Sequence, residues 1–212
     1  MNTRSQETRL TAIALNCTLK RGDAPSSTDK LLGEVLAALA EHGVTGEVQR
    51  VANLAIAPGV TSDEGEGDEW PALRSRILAA DILVLGTPIW LGQPSSVAKR
   101  VLERMDAFLG ETDDRGRMPS YGRVAVVAVV GNEDGAHHCH AEIFQALNDV
   151  GFTIPPGGGT YWVGEAMGSV DYKDLDGPQD KTQQTTVSLA ANAVHLARLL
   201  KAEGYPGVGD DD

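Results

Sequence analysis

The sequence predicts an α/β protein: a doubly wound, five-stranded parallel sheet with helices on both faces. Three observations carry this. Val124 to Val130 is an unbroken Val/Ala run, and a strand without polar alternation is buried on both faces, as in parallel sheets. Ile82 to Leu85 is a second apolar run, which stops at Gly86, passes through a loop with two prolines and Trp90, and meets Ser95 and Ser96 at the head of an amphipathic stretch. Runs of this kind alternate along the chain with segments at helical spacing, the pattern of successive strand and helix units.

Taken in order, Leu10 to Leu15 is the first strand. A polar loop from Asn16 to Pro25 leads to Ser26, Ser27, Thr28 and Asp29, where Ser26 with Asp29 forms a capping box with Asp in place of Glu. Leu31, Leu32, Val35, Leu36 and Leu39 make the buried stripe of the first helix. Glu47 to Val51 is the second strand. The loop from Ala52 to Asp68 carries an acidic, glycine-containing run, Asp63 to Glu69, expected to be solvated. Asp68 is expected to cap the second helix, since Pro71 suits a first turn and Trp70, Leu73, Ile77 and Leu78 give a buried stripe. The third helix is expected from Ser95 to Phe108, with Val97, Val101, Leu102, Met105 and Phe108 inward and Lys99, Arg100, Glu103 and Arg104 outward. After the Val/Ala strand, the fourth helix carries Ile143, Phe144, Leu147 and Val150 and stops at Gly151. Phe152 to Ile154 and Thr160 to Val163 form a broken fifth strand around a Pro-Pro-Gly-Gly-Gly turn. Gly164 to Gln179 is irregular, and the fifth helix spans Lys181 to Ala202 with Val187, Ala190, Val194, Ala197 and Leu200 inward. One domain over 9–203 is expected, with 1–8 and 204–212 as flexible tails.

Composition bounds the function. A 42% hydrophobic content marks a globular chain, and a net charge of −12 without Lys/Arg clusters excludes nucleic acid as a partner. No run reaches the ~18 apolar residues of a membrane span, and the polar N-terminus does not read as a signal peptide. Two cysteines, Cys17 and Cys139, make no disulfide framework. The expected location is the cytoplasm.

The chemistry lies in three loops that leave the carboxyl ends of the first, third and fourth strands. In the strand order 2-1-3-4-5 these converge on the crevice at the switch point. The first loop offers hydroxyls, Thr18, Ser26, Ser27 and Thr28, with Lys20 beside them at a helix start. Free N–H groups and the dipole at such a start favour a phosphate. The second, Thr87-Pro88-Ile89-Trp90-Leu91-Gly92, offers a flat aromatic and a glycine that permits close backbone approach. The third, Gly131-Asn132-Glu133-Asp134-Gly135, is suited to aim backbone N–H donors at ring oxygens. A phosphate at one end and a flat heteroaromatic at the other describe flavin mononucleotide (FMN).

The same residues resemble a family. Leu15-Asn-Cys-Thr-Leu-Lys-Arg with Ser26-Ser-Thr28 is similar to the phosphate loop of the flavodoxin-like NAD(P)H-dependent FMN reductases and quinone oxidoreductases. Thr87-Pro-Ile-Trp-Leu-Gly-Gln-Pro-Ser-Ser-Val-Ala-Lys99 resembles their second flavin loop, and Trp162-Val-Gly164 their last strand. Cys17 stands where glycine is usual, Leu19 where proline is common, and Gly22 to Pro25 lengthens the first loop. The resemblance implies a flavodoxin-like fold and bound FMN. It implies hydride transfer from NADPH or NADH through the flavin to a quinone, flavin or similar small-molecule acceptor, and a homodimer or homotetramer. It assigns Thr18, Lys20, Ser26, Ser27 and Thr28 to the phosphate, Pro88 through Gly92 to the ring, and Gly131 through Gly135 to its far edge. No side chain is needed as a nucleophile, so no catalytic residue is assigned.

Competing features weigh less. His137, His138, Cys139, His140 and Glu142 point in different directions from a helix start and have no partner pair elsewhere, so no metal is expected. His137 or His138 is expected instead to line the crevice or a subunit contact. Cys17 and Cys139 would lie roughly 10 Å apart, two strand spacings, too far for a disulfide. The alternatives to a reductase are a flavodoxin-type one-electron carrier and a flavin-free binding module on the same fold.

Overall fold

A computed structural model of the chain describes residues 9–208. Its strands are β1 (Thr11–Asn16), β2 (Thr45–Arg50), β3 (Ile82–Trp90), the two-residue β4 (Gln93–Pro94), β5 (Val124–Gly131) and β6 (Gly159–Val163). Five of them form a parallel sheet in the order β2-β1-β3-β5-β6, while β4 folds back antiparallel on the end of β3. With β4 set aside, this is the doubly wound order expected. The register aligns Asn16 with Arg50 on one side and Gly86 on the other, so the carboxyl ends of the strands share one edge.

Alternation within the strands builds two cores. Ile13, Leu15, Leu83, Leu85, Val127 and Val129 point to one face, where α2 (Trp70–Ala79), α3 (Ser96–Met105) and α4 (Ala136–Asp149) bring Trp70, Val101 and Ile143. Ala12, Ala14, Ile82, Val84, Val126 and Ala128 point to the other, against α1 (Ser27–Ala40) and α5 (Asp180–Ala202) through Leu32, Val35, Ala190 and Val194. The Val/Ala run of β5 is buried from Val124 to Val130, as a strand covered on both faces must be.

Several local expectations are corrected. Ser26 caps α1 by accepting from Asp29 N–H, but the Asp29 carboxylate does not reach back; it bonds Asn16 and pairs with Arg50. Asp68 accepts from Trp70 N–H at 3.1 Å, while Glu69 occupies the cap position of α2 without a capping bond, its carboxylate accepting instead from Ala55 N–H at 2.6 Å. Arg104, expected on the solvent side of α3, is fully buried and paired with Asp68 at 2.7 Å. The reason is the loop from Ala57 to Asp68, which folds over it: Arg104 also donates to the Ala57 and Thr61 carbonyls. α3 ends at Met105 and tightens into a 3₁₀ turn over Asp106–Gly110, which still buries Phe108. Val187, expected inward, is 54% exposed, because α5 packs through Thr182, Thr186, Leu189, Ala190, Ala193, Val194 and Ala197. The broken last strand is present as a bridge at Thr153 followed by β6. In the stretch expected as a C-terminal tail, Tyr205 bonds Thr153 at 2.9 Å and stacks edge-on with Tyr121, and Val208 N–H donates to Arg115 O. Residues 1–8 and 209–212 lie outside the described residues.

Candidate functional site

The loops after β1, β3 and β5 enclose a cleft of about 470 Å3 at the carboxyl edge of the sheet. A cavity of about 560 Å3 between Glu111 and Tyr205 is larger, but it is lined by the β5-leading segment and the C-terminal residues and holds none of the three loops. The strands bring the loops together only at the cleft.

Its polar end is the start of α1. Thr18, Ser26 and Thr28 are buried to within 5% exposure and Ser27 is half-buried, all on the lining with Lys20. The Ser26 hydroxyl oxygen accepts from Asp29 N–H, which leaves its own proton free to donate. Thr28 Oγ1 has no hydrogen-bond partner among the described residues. The Lys20 ammonium donates to Pro25 O at 3.0 Å and folds the loop around this end. Behind the loop, Asn16 accepts from Thr18 N–H, and Arg50 donates to the Gly22 and Ala24 carbonyls. The lengthened segment is thus held by residues of β1 and β2.

The other end is apolar. Pro88, Ile89, Trp90 and Leu91 form one wall, and Val130 and Trp162 continue it. Trp90 and Gln93 pair across a two-residue turn in which Leu91 (φ 54) and Gly92 (φ 73) are both left-handed, the conformation of a type I′ hairpin. Trp90 stands on this hairpin 54% exposed. The third loop rests directly on it: a Cβ on Gly135 (φ 125) would lie 2.7 Å from Gly92 backbone atoms, so only glycine fits. Glu133 ties the two loops, its carboxylate accepting from Leu91 N–H at 3.2 Å and Gly92 N–H at 3.0 Å.

A fourth wall comes from the irregular segment after β6. Met167, Gly168 and Asp171 line the cleft. The segment is anchored by Asn132, which donates to Gly168 O and Asp171 and accepts at its own carbonyl from Met167 N–H. It is also anchored by Lys30 of α1, whose ammonium donates to the Tyr172, Leu175 and Gly177 carbonyls and lies 4.6 Å from the Tyr172 ring centroid. Tyr172 packs against Trp162 with ring centroids 5.2 Å apart and bonds Glu34.

Of the residues singled out in the sequence, Thr18, Lys20, Ser26, Ser27, Thr28, Pro88, Ile89, Trp90, Leu91, Gly131, Asn132 and Glu133 meet on the lining. Thr87, Gly92, Asp134 and Gly135 do not. Thr87 is fully buried and accepts from Ser95 N–H at 3.0 Å, so it locks β3 to the head of α3. Gly92 and Gly135 shape the junction of the two loops behind the lining. Leu19, Val130, Trp162, Met167, Gly168 and Asp171 also line the cleft and were missed; the signal for Trp162 lay in the Trp162-Val-Gly164 resemblance. No histidine is on the lining. α4 starts behind the hairpin, so His138 bonds Gln93 and Glu142, both at 3.0 Å, and His137 packs edge-on against Tyr161. Cys17 and Cys139 are buried and free, and burial pushes the thiol of Cys139 up to about 11 and that of Cys17 further. Neither is a poised thiolate.

The donor set fits a phosphorylated flavin. Hydroxyls and a helix start would suit a phosphate without a basic cluster. The Trp90 and Trp162 walls meet a flat ring, and the Asn132 and Glu133 loop supplies polar groups at its edge.

Residues 10–168 match the family model described as NADPH-dependent FMN reductase. Over 208 residues the chain is 34% identical to the 8-demethyl-8-aminoriboflavin-5'-phosphate synthase of Streptomyces davaonensis, covering 92% of this chain and 80% of that protein. It is 41% identical over 200 residues to the divalent metal cation transporter MntH of Mycobacterium bovis, covering 91% of this chain but spanning only 29% of that protein's length. The crystal structure of RosB with a bound 8-demethyl-8-formylriboflavin-5'-phosphate intermediate superposes with a TM-score of 0.80 at 32% identity, covering 93% of this chain and 82% of that one. An NADH:FMN oxidoreductase in its apo form shares the fold at a TM-score of 0.64 and 16% identity, covering 96% and 97% of the two chains.

Proposed function

The chain belongs to the NADPH-dependent FMN reductase family, and from that premise we propose that it is an FMN-dependent oxidoreductase carrying reducing equivalents from NADPH or NADH to a quinone, a flavin or a similar small acceptor. One observation carries the reading: a single cleft joins a hydroxyl-lined helix start, Ser26 to Thr28, to an aromatic wall at Trp90 and Trp162. FMN, when bound, supplies the hydride chemistry.

The chain's own residues bind and orient. Thr28 and Ser26 donate hydroxyl protons to the phosphate, Lys20 adds a positive charge, and the α1 dipole reinforces both. Trp90 and its hairpin exclude water from one face of the ring. The Leu91 and Gly92 N–H groups, expected to face the ring, are held by Glu133. Glu133 therefore governs whether those donors reach the polar edge of a bound ring. The same reading places the chain in the cytoplasm as a homodimer or homotetramer with one FMN-binding domain over 9–203. Among the described residues no helix is long and apolar enough to cross a membrane, and Leu91 and Met167, 92% and 94% exposed beside the cleft, are apolar surface that a second subunit would cover.

The test is reconstitution with FMN followed by anaerobic addition of NADPH or NADH. Rapid two-electron bleaching of the flavin absorbance is expected. A protein that stays colourless with added FMN overturns the reading, and retention of FMN without bleaching by either nucleotide points to a one-electron carrier. A second reading, in which the flavin phosphate is itself the compound transformed, is favoured by the 34% identity to the Streptomyces davaonensis synthase. The mass of the flavin released after turnover separates the two: unaltered FMN supports the reductase.

A further inference from the structure

The segment after β6 runs along the cleft from the third loop to the start of α1. At the third loop, Gly164 N–H donates to Gly131 O, and Asn132 holds Met167, Gly168 and Asp171. At α1, Lys173 N–H donates to the Ser27 hydroxyl oxygen at 3.3 Å. One turn along, the Lys30 ammonium donates to the carbonyls of Tyr172 at 3.1 Å, Leu175 at 2.7 Å and Gly177 at 2.9 Å. An ammonium has three N–H donors, so three partners from this one segment are enough to occupy it. The family match ends at residue 168, and the anchors on α1 hold residues beyond it.

Lys30 is out of place for its helix. Its N–H donates to Ser26 O and closes the first turn of α1, where the dipole disfavours a cation. Three carbonyl dipoles and the Tyr172 ring, 4.6 Å from the ammonium, offset that cost. Tyr172 is itself fully buried, packed on Trp162 and bonded to Glu34. Nearer the third loop the same segment is open to solvent: Met167 is left-handed (φ 60) and 94% exposed. The segment is therefore fixed where it meets the hydroxyls of α1 and exposed where it meets the ring end.

Building on the flavin reading, we propose that residues 164–177 are a strap that Lys30 locks across the phosphate end of the cleft, so that FMN is a resident group. It stays bound through successive turnovers, and only reductant and acceptor exchange, at the ring end. The strap bars FMN from leaving and from entering alike. Lys30 is a positioning residue in this arrangement: it is not on the cleft lining and acts through the strap.

Stopped-flow flavin fluorescence tests the lock. Mixing FMN with the flavin-free protein gives the association rate, and dilution of the FMN-loaded protein gives the dissociation rate. Lys30→Met keeps the length of the side chain and removes its donors. It is expected to raise both rates by about tenfold or more, the scale of one charge-assisted hydrogen bond, and Lys30→Arg, which keeps donors, to preserve slow exchange. A rise in the dissociation rate alone marks a lost contact rather than a released barrier and overturns the proposal, as do unchanged rates in Lys30→Met. Wild-type protein that loses FMN faster than it turns over also overturns it. Hydrogen exchange on the wild-type protein serves where Lys30→Met does not fold: FMN is expected to protect the amides of residues 169–177 further, and equal protection with and without FMN overturns the proposal. A protein that takes up no FMN overturns the flavin reading itself and the strap's role with it. One that takes up FMN but oxidises neither NADPH nor NADH overturns the reductase reading, and the exchange rates still decide the strap.

Discussion

Two tryptophans face the same cleft with different attachments. Trp90 is half exposed on a hairpin, while Trp162 is packed on Tyr172, which Lys30 and Glu34 hold in turn. Truncating Trp90 therefore removes a wall of the cleft and little of the core. Trp90→Ala is expected to weaken FMN binding by about 1–3 kcal/mol, roughly 5- to 150-fold, on the scale of aromatic stacking against a flat heterocycle, with the unfolding midpoint near that of the wild type. Trp162→Ala is expected to lower both FMN affinity and stability. Fluorescence quenching with FMN and urea unfolding, done on both variants, check this; a Trp90→Ala protein that binds FMN as well as the wild type shows the ring to lie elsewhere. The type of each cleft residue was legible in the sequence, because hydroxyls at a helix start and an aromatic after a buried strand are local signals. Which of them turn away was not legible. Thr87 is consumed by Ser95 across the hairpin turn, and Glu133 bonds the hairpin from about forty residues further along the chain, contacts that the residue types alone do not record.

At the scale of elements, the acidic loop before α2 is exposed from Asp63 to Gly67, as expected, and departs from expectation at one residue. A run of Asp, Glu and Gly reads as solvated, yet Asp68 is buried and bound to Arg104 of α3. Burial alone would raise the Asp68 carboxyl, but the Arg104 guanidinium and the backbone N–H groups of Glu64, Trp70 and Ala57 outweigh it and hold it at about 2. Arg104 also lies over the Trp70 ring, 5.6 Å from its centroid, so one guanidinium joins loop, α2 and α3. Removing one partner strands a buried charge: Arg104→Met is expected to destabilise by about 3–5 kcal/mol, and Asp68→Asn/Arg104→Met by less than the sum of the single changes. Denaturant unfolding of the four proteins in the cycle measures the coupling; strictly additive losses would show the pair to be independent. The segment after β6 follows the same rule. It looked irregular because its order comes from Lys30 and Asn132, far away in the chain, and no periodicity records that.

Over the whole molecule, the sheet separates function from support. The cleft occupies the carboxyl edge, and α4 with β6 forms a packed flank that carries a buried titratable group, His140. His140 stacks on Phe144 and meets Tyr161 edge-on. Burial above all, and then His137 nearby, lowers it from 6.5 to about 4 despite an opposing hydrogen bond from the imidazole to the Thr160 backbone carbonyl. Above pH 6.5 the imidazole is neutral in both folded and unfolded chains. Between 6.5 and about 4 the unfolded chain binds the proton first, so stability falls as pH falls through that window. The expected outcome is a urea midpoint that declines from pH 7 to pH 4 and a flatter decline in His140→Leu. An identical slope in the variant assigns the acid sensitivity to other groups. Asp68, held at about 2, contributes its own loss only at lower pH still.

The sequence by itself determined the class of the sheet and the three loops that follow its first, third and fourth strands, while the strand order was expected from the fold type and is seen in the structure. Those follow from hydrophobic period and from turn chemistry, which are written in neighbouring residues: the Val/Ala run of β5, the stripe of α1, the Gly/Pro loop after β3. It also marked most of the cleft, since phosphate and ring sites need particular residue types at particular strand ends. Only the tertiary structure decided which polar groups are spoken for. It buried Arg104 on Asp68, turned Thr87 into a support, set Glu133 across Leu91 and Gly92, brought Met167 and Asp171 over the cleft, and set Lys30 on three carbonyls of the segment after β6. The physical reason is that a buried or free charge is defined by its partners, and those partners lie in other elements, at separations that local sequence patterns do not encode.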